Sequence, residues 1–194
     1  MPRTIISGLA APTLQARLVA AKDAAATDAT RMERAEECQD AEALRWRADM
    51  LRGSIVVCSF SRGFYNGTST VTAILGVAEA LGFAGFVLAA DAQHGGDFLA
   101  QPLPLAVPGV MVTRVADALV LWSYYAAHTV YGGTTTVFGA TAAVTEGRVA
   151  SFTDAAPVVA RYSSRGPDVT DRESTPADVL KPDILAPDDQ IWAA

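Results

Sequence analysis

The stretch "GSIVVCSFSRGFYNGTSTVTAILGVAEALGFAGFVLAAD", Gly53 to Asp91, decides the fold. Its opening run, Gly53 to Phe60, is short, apolar and β-branched and is bounded by glycine, the pattern of a buried strand. "SRGFYNGT" marks a loop, with Asn66-Gly67 as a turn signal. The segment Ser69 to Gly82 opens on Ser69 as a helix cap. It carries Val71, Ile74, Leu75, Ala78 and Leu81 at helical spacing and stops at Gly82. Phe83 to Asp91 is a second buried strand. Strand, helix and strand with short links predict a packed α/β unit with a parallel strand pair.

The pattern extends to both sides. After Asp91 comes a long loop punctuated by Pro102, Pro104 and Pro108. A strand "VMVT", a helix "ADALVLWSYYAAHT" and a strand "TTTVFGATAAV" follow. The helix presents Leu119, Trp122 and Tyr125 or Ala126 as the stripe expected to face the sheet. Residues from about 50 to 148 are read as one compact α+β module. On the amino-terminal side, Leu14 to Trp46 is rich in Ala, Glu, Asp and Arg, so propensity favours helix although the periodicity is poor. From residue 151 the composition shifts to Gly, Pro, Ser and Asp, and the strand-like "PVVARYS" runs into turns. Residues 151–194 are therefore expected to belong to a different domain.

Bulk properties narrow the function classes. With 194 residues and 51% apolar content the chain can bury a substantial core. A net charge of −6 argues against a nucleic-acid surface, which needs clustered Lys and Arg. Every apolar stretch is cut by Gly, Pro or a charge before the roughly 18 residues a membrane span needs. Thr4 to Leu14 is interrupted by Gly8 and Pro12 and lacks a strongly basic start, so it is expected to be interior sequence rather than a signal peptide. Cys38 and Cys58 are too few for a disulfide framework and too far apart for a zinc ligand pair, leaving one disulfide or two inert thiols.

Candidate catalytic residues are sparse. His94 lies in the loop "DAQHGGD" and His128 at a helix end, and neither accompanies a Gly-x-Ser-x-Gly nucleophile elbow. Ser163 sits in the turn "SSRGP" with no base nearby in sequence, and Asp188-Asp189 has no partner carboxylate at metal spacing. "GGD" lacks the glycine spacing and the Lys of a phosphate loop. On its residues alone the chain is a well-formed module without a visible active site.

The closing segment resembles plant subtilisin-like serine proteases (subtilases). That family carries "FSSRGP" and "LKPDI.APG" shortly before the serine of "GTSMA.PH". The matches here are Tyr162-Ser163-Ser164-Arg165-Gly166-Pro167 and Leu180-Lys181-Pro182-Asp183-Ile184-Leu185-Ala186-Pro187, with Asp188 where the family has Gly. Upstream, "CQDAEAL", "GSIVVCSF", "AEALGFAGFVLAAD" and "LAVPGVMVT" resemble elements of the family's protease-associated (PA) domain. The resemblance covers nearly the whole chain.

It implies a PA-type β-sandwich or barrel-like module with two flanking helices over residues 1–150, then a partial segment of an α/β subtilisin fold over 151–194. The catalytic Asp and His are expected upstream of Met1 and the Ser beyond Ala194, so no triad residue maps onto this sequence and the chain alone is expected to be inactive. The alternative is a non-catalytic protein-interaction module. The resemblance further implies protein or peptide substrates, a homodimer through the PA module as one mode of association, secretion to the apoplast, and no cofactor or metal. It moves the expectation for Leu18 to Ala24 from helix to strand. It also supplies a cysteine at each of the two places found here, implying a Cys38–Cys58 disulfide in an oxidising compartment and reduced thiols otherwise. Asn66-Gly67-Thr68 is an N-glycosylation acceptor in an exposed loop of a secreted family, or simply a turn.

Overall fold

The computed structural model describes residues 14–25, 29–98, 106–132 and 135–144. The chain divides into two compact units, Met1–Gly147 and Arg148–Ala194, and every described residue lies in the first. In chain order the elements are β1 (Leu14–Ala20), α1 (Ala21–Ala24), α2 (Ala29–Glu36), α3 (Ala41–Arg45), α4 (Ala48–Leu51), β2 (Ile55–Phe60) and α5 (Arg62–Tyr65). They continue with α6 (Val71–Leu81), β3 (Gly85–Ala90), β4 (Gly109–Val112), α7 (Val115–Ala127), β5 (Thr129–Gly132), β6 (Thr135–Phe138) and β7 (Thr141–Val144). A five-stranded sheet has the order β4-β3-β2-β1-β7, and β5 and β6 form a separate two-stranded ribbon. This is a mixed α and β structure, in line with the α+β reading.

The centre of the sheet is the strand pair read from Gly53 to Asp91. β2 and β3 run parallel from Ile55↔Gly85 to Phe60↔Ala90. Every residue of β3, and every residue of β2 but Phe60, is buried, as parallel strands covered on both faces require. Between them α6 buries Ile74, Val77, Ala78 and Leu81. Withdrawing the Ile74, Val77 and Leu81 side chains from water contributes about 1.5–3 kcal/mol each. Gly82 ends the helix in the left-handed region at φ 72, as expected. The cap differs from expectation: Thr70, not Ser69, accepts from the Ala73 N–H at 3.1 Å through Oγ1. Ser69 is unavailable because its hydroxyl is committed to Glu37.

β1 changes partner midway. Leu14 to Arg17 pair antiparallel with β7, and Leu18 to Ala20 pair parallel with β2. Burial changes at the same place, from alternating to continuous. The strand expected at Leu18 to Ala24 thus begins and ends four residues earlier; past the Ala20↔Val57 pair the chain turns into α1, which buries Ala21 and Ala24. The Ala- and Glu-rich stretch beyond is helical in short pieces. α3 is capped by Asp40, whose Oδ1 accepts from the N–H groups of Glu42 (2.9 Å) and Ala43 (3.2 Å).

Two expectations near the carboxyl end of the module are corrected. α7 buries Ala118 and Tyr125, with Leu121 and Trp122 packed partly against the core, whereas Leu119 is 54% exposed. Of the expected stripe Trp122 and Tyr125 hold and Leu119 does not; Ala118 and Leu121 stand on the core side in its place. "TTTVFGATAAV" is not one strand but two, β6 and β7, in different sheets. The break is at Gly139-Ala140: the Gly139 N–H donates to His128 O at 2.8 Å, and Ala140 O accepts from Leu18 N–H at 2.8 Å. A Cβ on Gly139 would stand 2.8 Å from the His128 carbonyl, so the close approach requires glycine there. The tail strand "PVVARYS" lies outside the described residues.

Candidate functional site

Polar and aromatic groups collect beyond the carboxyl ends of β2 and β3, where open sheets with parallel strands usually place their sites. Phe60, the last residue of β2, is stacked against Phe64 (centroids 4.7 Å apart) and Phe98 (3.8 Å), with Tyr65 edge-on at 5.1 Å. The Tyr65 hydroxyl donates to Gly96 O at 2.7 Å and accepts from the Gly96 N–H at 2.9 Å. This ties the loop after β2 to the loop after β3.

Beneath this cluster lies Glu37, only 1% exposed. It follows α2 directly, and its Oε1 accepts from the Ser61 hydroxyl and from the Gly63 N–H (2.8 Å), while Oε2 accepts from the Ser69 hydroxyl. Ser61 and Ser69 are buried as well. A buried carboxyl survives when its oxygens are met by donors, and these three donors supply that. The arrangement clamps the end of α2 to the whole loop Ser61 to Ser69. Both serine hydroxyls are buried and turned inward onto the carboxyl, where they hold the loop in place.

The two histidines are dispersed. His94 Nδ1 faces Asp91 Oδ2 at 2.9 Å near the surface, and that hydrogen bond raises the His94 pKa. Burial raises the pKa of the neighbouring Glu36 carboxyl, opposed by the charge of Lys22. His128 caps the end of α7 and places Nδ1 2.8 Å from Tyr124 O, its ring 4.4 Å from that of Tyr124. Among the described residues neither histidine is hydrogen-bonded to a serine or cysteine, and no group of three metal-ligating side chains gathers. A second polar cluster joins α1 to the end of the module: Asp23 Oδ2 accepts from Tyr125 (2.6 Å) and Tyr131 (2.9 Å). Burial, then the bond to Asp23, pushes the Tyr131 pKa up to about 12. Lys22 Nζ lies 4.6 Å from the centroid of the Trp122 ring beside it, a cation–π contact.

Of the remaining sequence candidates, Cys38 and Cys58 are joined by a disulfide, Cα to Cα 5.6 Å, and both are buried. Asn66 is exposed at the end of α5. Ser163, Asp188, Asp189 and both closing motifs lie outside the described residues. Glu37 and Asp23 escaped the sequence reading. An isolated acidic residue in an acidic stretch carries no local sign that distant hydroxyls will converge on it.

The described residues thus form a disulfide-pinned α/β module with no Ser-His-Asp constellation among them. No protein-family model matches the chain. Curated relatives do. The chain is 46% identical to Subtilisin-like protease SBT2.4 of Arabidopsis thaliana over 192 residues, which are 96% of this chain and 23% of that protein. It is 39% identical to Subtilisin-like protease SBT2.2 over 81% of this chain and 18% of the relative, and 35% identical to Subtilisin-like protease SBT2.5 over 96% and 23%. The chain belongs to the plant subtilisin-like protease family. It spans about a quarter of the length of the relatives it matches along nearly its whole extent.

Proposed function

We propose that this chain serves as part of a secreted subtilisin-like serine endopeptidase, with residues 1–150 as its protease-associated module and 151–194 as the beginning of the catalytic segment that follows. The observation that carries the reading is the 46% identity sustained over 96% of the chain. Peptide cleavage then proceeds by acyl transfer. A serine hydroxyl attacks the scissile carbonyl, a histidine takes its proton and passes it to the leaving amine, and an aspartate orients the imidazole. In this reading those three groups come from parts of the protease outside the present sequence. The module contributes no reacting atom; it limits the approach of protein substrates to the catalytic cleft or supports a homodimer, and the enzyme works in the apoplast.

Two measurements test this. The chain by itself is expected to hydrolyse no fluorogenic peptide and to resist labelling by a serine-directed phosphonate. Substituted for the corresponding stretch of Subtilisin-like protease SBT2.4, it is expected to leave a secreted, proteolytically active chimera. A phosphonate-labelled serine in the chain alone overturns the proposal. A folded but inactive chimera, with peptide binding by the isolated chain, favours the interaction-module alternative.

A further inference from the structure

Asn66 is the only asparagine in the chain, and Asn66-Gly67-Thr68 satisfies the N-x-Thr acceptor pattern. All three residues are exposed. Asn66 closes α5 at φ −84 and ψ −3, and Gly67 follows at φ 72, so the chain reverses directly after the asparagine. The turn is held by its own backbone and by Thr68. The Asn66 N–H donates to Arg62 O at 3.0 Å, and Thr68 donates to Gly63 O from both its N–H (2.9 Å) and Oγ1 (3.2 Å). None of these bonds uses the Asn66 carboxamide, so the side chain is free to be extended by a bulky group without dismantling the loop.

A second observation points to the same compartment. The Cys38–Cys58 disulfide closes only where thiols are oxidised, which in a eukaryotic cell is the secretory route that also holds the N-glycan transferase. We propose that Asn66 carries an N-linked glycan. The donor is a lipid-linked diphosphate oligosaccharide. Nδ2 of Asn66 bonds to C1 of the first N-acetylglucosamine, the bond from C1 to the diphosphate oxygen breaks, the lipid diphosphate leaves with the electron pair, and Nδ2 gives up one proton. The glycan then stands beside Tyr65, itself 48% exposed and fixed to Gly96, and keeps this end of the module in solvent. This inference is independent of the protease reading.

The experiment uses the full chain behind a secretory leader, translated into microsomes and also secreted from plant cells. Wild-type protein is expected to show one gel shift removed by an N-glycan endoglycosidase, with the modification located on Asn66 by peptide mass spectrometry. Asn66→Gln and Thr68→Ala are each expected to abolish the shift, and Thr68→Ser to retain part of it. Transfer is read on the translocated chain, so a variant that folds poorly still reports. Unmodified Asn66 in translocated protein whose Cys38–Cys58 bond has formed overturns the proposal, as does a shift that persists in Asn66→Gln.

Discussion

Cys38 is bonded through sulfur to Cys58 from a backbone position that helices ordinarily give to glycine. Its φ is 55, the one positive value among the described non-glycine residues. It closes α2 in a Schellman motif: the Gln39 N–H reaches Arg34 O at 2.7 Å and the Cys38 N–H reaches Ala35 O at 2.9 Å. Holding an L-residue in the left-handed region costs about 1–2 kcal/mol. The bridge, across a sequence separation of 20, stabilises by about 3 kcal/mol in the chain-entropy model and outweighs that cost.

A pair of variants separates these two contributions. Cys38→Ala loses the bridge and keeps the strained backbone, whereas Cys38→Gly loses the bridge and relieves it. Urea denaturation is expected to show Cys38→Gly more stable than Cys38→Ala by about 1 kcal/mol, with both below wild type. Equal midpoints would mean that the φ of 55 is not a cost the fold carries.

The Glu37 clamp predicts a graded response. Glu37→Ala leaves the Ser61 and Ser69 hydroxyls and the Gly63 N–H facing a void and is expected to destabilise by about 3 kcal/mol. Glu37→Gln keeps the shape and one acceptor oxygen while the Ser69 hydroxyl rotates to accept, so a smaller loss is expected. A loss in Glu37→Gln as large as in Glu37→Ala would show that the charge, rather than the acceptor geometry, holds the loop.

Two glycines are expected to respond with opposite signs to the same substitution. A Cβ at Gly63 would collide with the Glu37 carboxyl and the Ser69 hydroxyl, so Gly63→Ala is expected to destabilise by about 1–3 kcal/mol. A Cβ at Gly76, on the exposed side of α6, meets nothing within 4 Å. Gly76→Ala is therefore expected to stabilise by about 0.5–1 kcal/mol. Thermal unfolding of the two variants checks both signs at once.

Stability is expected to fall as pH rises through two successive windows. Glu36 has a folded pKa raised above its ordinary 4.5 by burial, with Lys22 and His94 opposing and Asp91 and Glu33 contributing, so its contribution is present at low pH and lost as pH rises through the raised value. His94 is raised above 6.5 by its bond to Asp91, and its contribution is likewise lost as pH rises through the folded value. His94 is exposed, so its limb is shallow and weakened by salt. Denaturant midpoints against pH are expected to lose the lower limb in Glu36→Gln. An NMR titration of His94 should move to lower pKa in Asp91→Asn; an unchanged titration would remove Asp91 as the cause.

What the amino-acid sequence determined by itself is whatever depends on neighbours within one turn or one strand. The burial of β2 and β3, the left-handed stop at Gly82, the turn at Asn66-Gly67 and the family motifs are all local in this sense, because composition and spacing over a few residues already specify them. Tertiary structure decided the rest. Ser69 and Thr70 are equally good caps in sequence, and only Glu37, 32 residues from Ser69, takes Ser69 out of that role. Gly139 breaks an apparently continuous strand because His128 and Leu18 claim the backbone on either side of the break. Asp23 becomes a hub only when Tyr125, 102 residues further along the chain, is brought to it. In each case the deciding partner is a hydrogen-bonding group far away in sequence. A buried donor or acceptor must be satisfied wherever its partner comes from, and local periodicity holds no record of that partner.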